Sequence, residues 1–110
     1  MAYDEELADR IRALLSDRAD VTERKMFGGL AFLVGGNMAI AASGEGGALV
    51  RIDPHDSEKL VASGKAEVAV MRGKAMRGWL RVASADLTTT RALTRWVRLA
   101  STYAASLPLK

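Results

Sequence analysis

Two stretches set cationic side chains beside glycine and a large apolar residue. The first is Arg24-Lys25-Met26-Phe27-Gly28-Gly29-Leu30-Ala31-Phe32, and the second is Met71-Arg72-Gly73-Lys74-Ala75-Met76-Arg77-Gly78-Trp79-Leu80. Guanidinium and ammonium groups make charge-assisted hydrogen bonds to phosphate and carboxylate, and glycine lets a backbone approach a ligand closely. Arg24, Lys25, Arg72, Lys74, Arg77 and Trp79 are therefore candidates for holding an anion or an acidic partner. A solvated connection between strands would carry the same residue types. A third group, Arg91, Arg95 and Arg98, recurs at i, i+4 and i+7, which makes one basic stripe on a helix. Such a stripe can track a nucleic-acid backbone, or it can be the wet side of an amphipathic helix. No recognition-helix motif or aromatic stacking platform accompanies it.

Catalytic chemistry has little to work with. Cysteine is absent and His55 is the single histidine, so thiolate metal sites and Cys/His pairs are excluded. Asp53, His55 and Asp56 cluster at what reads as a helix start, where a capping Asp and acidic side chains are expected without any metal. The glycines from Gly44 to Gly47 lie between two strands, not between a strand and a helix, so they do not read as a phosphate-binding loop. The expectation is a non-enzymatic protein with no catalytic residues, no metal and no cofactor.

These side chains need a scaffold. Asp4, Glu5 and Glu6 open a helix that should run to about Asp17, with Leu7, Ile11, Leu14 and Leu15 at helical spacing and Glu6–Arg10 as an i,i+4 pair. From Glu23 the period becomes two. One strand is expected through Val34, with a bulge or bend at Gly28-Gly29, followed by a tight turn at Gly35-Gly36-Asn37. Met38–Ala42 and Ala48–Ile52 return as strands. Asp53-Pro54 starts a short helix that ends at Gly64. Ala66–Met71 and Gly78–Val82 are two more strands, and Thr88 or Thr89 caps a last helix that Pro108 ends. The predicted architecture is α+β and two-layered: helix, three strands, helix, two strands, helix, with a mainly antiparallel five-stranded sheet in a single domain over residues 1–110.

Charge is unevenly spread. Residues 1–64 hold seven Lys/Arg against eleven Asp/Glu, whereas residues 65–110 hold nine against two, within a net charge of +3. A basic half can attract phosphates or an acidic partner. The uncharged run from Met26 to Ala42 is too short and too rich in glycine for a membrane span, so it reads as a hairpin and no membrane partner is expected. Lack of cysteine fits a cytoplasmic location.

Arg24-Lys25-Met26-Phe27-Gly28-Gly29, Asn37-Met38, Leu49 to Asp53, Arg72 to Trp79 and Trp96 in the last helix together resemble the N-terminal domain of the TfoX/Sxy family, bacterial proteins tied to the regulation of natural competence. That resemblance implies a fold like those of secretion chaperones and a role in transcription co-regulation. Ala75 stands where relatives often carry proline. Longer members also have a helical C-terminal domain, so a stand-alone form is expected here.

Strand alternation adds a surface. If Phe32, Ile40, Val50, Leu80 and Val82 face the helices, then Leu33, Leu49 and Trp79 point from the other face, rimmed by Arg51 and Arg81. An apolar face without a helix layer suggests a protein partner, with transcription machinery or a second copy as the options. The alternatives are nucleic-acid binding by Arg72, Lys74, Arg77, Arg91, Arg95 and Arg98, or a small anion held by the Arg72 loop.

Overall fold

The computed structural model describes residues 3–26, 28–71 and 73–108. Helix α1 (Glu5–Leu14) is followed by strands β1 (Val21–Met26), β2 (Gly29–Val34), β3 (Asn37–Ala42) and β4 (Ala48–Arg51). Helix α2 (Pro54–Ala62), strands β5 (Glu67–Met71) and β6 (Lys74–Val82), a short 3-10 turn (Ser84–Leu87) and helix α3 (Thr90–Ser106) complete it. The sheet order is β1-β2-β3-β4-β6-β5, and every neighbouring pair is antiparallel. The α+β class holds.

Among the described residues the sheet has six strands where five were expected. Met26 pairs with Gly29, so the segment read as one bent strand is a hairpin that reverses between these two residues. Gly28 has φ +74°, a left-handed conformation that glycine adopts at no steric cost. Gly29 is also required to be small, because a Cβ there would overlap the Ala42 carbonyl oxygen of β3.

Capping follows the sequence closely. The Asp4 carboxylate accepts the Leu7 N–H at 3.1 Å, Asp53 accepts the His55 N–H at 2.9 Å, and the Thr89 hydroxyl accepts the Ala92 N–H at 3.1 Å. Helix α1 is shorter than the predicted span, since the chain turns after Leu14. The expected Glu6–Arg10 pair does not form either. Arg10 instead donates to the carbonyls of Leu87 at 2.9 Å and Thr88 at 3.3 Å, tying α1 to the turn that leads into α3.

All three helices pack on one face. Leu7 and Ile11 of α1, Leu60 of α2, and Leu93, Trp96, Val97, Ala100 and Ala104 of α3 bury against Leu30, Phe32, Val34, Ile40, Val50, Leu80 and Val82. The five residues predicted to face the helices do so. Among the described residues no helix is long and apolar enough to cross a membrane.

Candidate functional site

The face of the sheet opposite the helices carries a second apolar cluster. Ala31, Met38, Ala41, Leu49 and Ala69 form its buried centre, and Met26, Leu33 and Trp79 pack against it half-buried. Strand register builds it. Ala41 faces Leu49 across β3 and β4, and Arg51 pairs with Trp79 across β4 and β6. Three alanines at the centre make a shallow floor over which the longer Trp79, Leu33 and Met26 side chains extend. Leu33, Leu49 and Trp79 lie where alternation put them.

Met38 was missed for a physical reason. Simple alternation puts it on the same side as Ile40, but the register shifts in this stretch, so that Phe32 pairs with Ile40 and Leu33 with Met38. The extra residue, Ala39, joins the helix-side core and returns Met38 to the open face. No turn signal in the sequence marks that bulge.

A second irregularity shapes the Trp79 region. Val68 pairs with Leu80 but the adjacent Ala69 pairs with Met76, so Arg77-Gly78-Trp79 bulges from the β5–β6 ladder. Gly78 sits at φ +84°, and a Cβ there would lie 3.1 Å from the Ile52 carbonyl oxygen and 3.2 Å from Pro54 Cγ. The Ile52 N–H donates to the Gly78 carbonyl at 2.8 Å. The glycine of this motif thus seats the β4–α2 corner, and the bulge leaves Arg77 exposed and Trp79 opposite Arg51.

The cationic candidates divide. Arg24 and Lys25 lie on edge strand β1, while Lys74 and Arg77 lie on β6, with β2, β3 and β4 between them. At about 4.8 Å per strand step, that separation precludes one shared anion site. Arg24 and Lys25 also point to opposite faces: Arg24 pairs with Ala31 on the open side, and Lys25 with Leu30 on the helix side. Arg72 lies outside the described residues. Lys74 is exposed near the tip of the β5–β6 hairpin, where it pairs with Met71, and the preceding residue of edge strand β5, Val70, is 62% exposed.

At the rim, the Arg81 guanidinium donates to the Glu45 carboxylate, which offsets its charge. Arg51 is half-buried, with its guanidinium carbon 5.3 Å from the Trp79 ring centre and 5.7 Å from that of Tyr103. Cations within about 6 Å of an aromatic face are held by the ring quadrupole, so Arg51 braces the Trp79 indole. Arg91, Arg95 and Arg98 belong to the other layer, on α3, where they line the α2–α3 seam.

The profile of the TfoX N-terminal domain matches residues 13–104. Comparison with curated proteins finds no match. Because the profile covers most of the chain, this protein belongs to the TfoX N-terminal domain family.

Proposed function

We propose, from membership in the TfoX N-terminal domain family, that this chain is a non-enzymatic regulatory or adaptor domain acting by protein–protein contact. The observation that carries the reading is the apolar cluster around Trp79 on the sheet face that, among the described residues, no helix covers. Half-buried Trp, Leu and Met side chains beside arginine are the composition of protein interfaces, in which aromatic and Arg residues contribute most binding energy. In this reading Trp79, Leu33 and Leu49 supply apolar contact. Arg24, Arg51, Lys74 and Arg77 orient an acidic rim on the partner and speed its encounter. Transcription machinery is the partner class that family membership favours, and a second copy is the simplest one to measure.

Nucleic-acid binding is the competing reading, and a salt titration separates them. Wild type is compared with Lys74→Ala/Arg77→Ala for retention on duplex and single-stranded DNA. The protein-contact reading expects no tight retention at low salt. Tight retention that falls steeply with salt and is lost in the double variant would replace it with the nucleic-acid reading. Sedimentation of wild type and Trp79→Asp across a dilution series then reports whether the partner is a second copy.

A further inference from the structure

The arginine stripe of α3 lines a concave site. Arg91, Arg95 and Arg98 form one wall of a groove of about 640 Å³ between α2 and α3. Its apolar surface comes from Ile52, Leu60, Leu99 and Tyr103, while Thr94 and Thr102 bring hydroxyls to the arginine wall. A recess of about 480 Å³ continues along the same seam, sharing Leu60, Arg91 and Arg95 and adding the cation Lys65 and the acid Asp86. These volumes lie in the range of about 300–1,000 Å³ typical of small-molecule sites.

Charge gives the groove a preference. Its acids, Asp53 and Asp56, sit at the start of α2, and the Asp53 carboxylate already caps that helix through the His55 N–H. The charged residues of the opposite wall are all arginines. Helix α3 contains no Asp or Glu, and Arg91 stands in its first turn, where the helix dipole disfavours a cation. Arg91 and Arg95 are an i,i+4 like-charge pair, and Arg95 and Arg98 an i,i+3 pair, so each opposes helix stability. Among the described residues none of the three makes an ion pair. A bound anion would offset this repulsion, and the apolar floor beside it would hold a hydrophobic body.

We propose that the α2–α3 groove binds an amphipathic organic anion, with its charged head against Arg91, Arg95 and Arg98 and its apolar body on Leu60, Leu99 and Tyr103. The site lies in the helix layer and does not depend on the open sheet face. Decanoate is a suitable probe, followed by amide shifts in a two-dimensional NMR titration. Decyltrimethylammonium serves as the cation of equal chain length, and inorganic phosphate as an anion without an apolar body. The expected result is saturable decanoate shifts centred on Leu60, Thr94, Leu99 and Tyr103. Phosphate should bind at least about tenfold more weakly, and the cation should produce no saturable shift there. Arg95→Gln/Arg98→Gln keeps the side-chain stems and helix propensity while relieving the like-charge pairs, and should bind decanoate about tenfold more weakly or worse with no loss of Tm. The proposal is overturned by decanoate shifts that are absent or centred on the open sheet face, by equal binding of the cation or of phosphate, or by unchanged affinity in the double variant.

Discussion

Arg51 and Trp79 face each other across β4 and β6 with the guanidinium carbon 5.3 Å from the indole centre, and the same guanidinium lies 5.7 Å from Tyr103 of α3. One side chain at the end of β4 thus touches an aromatic ring of the open face and another in the helix layer. Each such contact is worth about 0.5–1 kcal/mol at an exposed site. Arg51→Met keeps the stem but removes the charge. It should lower stability by about 1 kcal/mol and broaden the Trp79 side-chain NMR signal; unchanged stability and line width would remove Arg51 as a brace.

Gly78 should be intolerant of substitution. Its φ of +84° and the approach of Ile52 and Pro54 to within 3.1 and 3.2 Å of a Cβ both act against alanine. Gly78→Ala should cost about 1–3 kcal/mol by denaturant unfolding. Gly73→Ala, also at positive φ but with open space around its Cβ, should cost less.

Arg10 is an anchor between distant segments. Arg10→Ala removes two donors from the Leu87 and Thr88 carbonyls and should cost about 1–3 kcal/mol, measured as a lower denaturant midpoint. Glu6→Ala should be nearly neutral, because Glu6 is exposed and Arg10 is engaged elsewhere.

Acid should weaken the α1–β1 contact. Arg12 grips Glu23 with two hydrogen bonds of 2.6 and 2.8 Å, and this holds the Glu23 carboxyl below its ordinary value of 4.5. A carboxylate with a depressed folded pKa contributes stability above its unfolded pKa and loses it as pH falls through the folded value. Wild type should therefore exceed Glu23→Gln in stability at neutral pH. The gap should narrow below 4.5 and close in stronger acid. A gap that stayed constant with pH would show that the carboxylate charge is not its source.

Much of this fold is legible in the sequence because local chemistry and the global pattern agree. Asp4, Asp53 and Thr89 cap the helices they precede, and strand alternation sorts Phe32 and Ile40 from Leu33 and Leu49. What the sequence hides is register and strand order. Gly28-Gly29 reads as a bulge or bend within one strand, and pairing across β1 and β2 shows a reversal there instead. Met38 is concealed by the bulge at Ala39, and the Arg77–Trp79 bulge because Lys74 to Arg77 read as a loop before a strand starting at Gly78, whereas β6 already starts at Lys74. The basic motifs at Arg24 and Arg77 look alike in sequence, yet strand order puts them on β1 and β6, with three strands between. The α2–α3 groove joins residues about forty positions apart, which no local pattern records.

The central claim is that the open face around Trp79 is where this domain meets a protein. A photo-crosslinking amino acid placed at Trp79, at Leu33, and as a control at exposed Glu58 on α2 tests it directly in cells of the natural host. The account predicts a discrete protein adduct from positions 79 and 33, absent from position 58, and lost when Leu49→Asp is added to a chain that remains folded. Adducts arising from position 58 alone, or none from the open face at full expression, would contradict it.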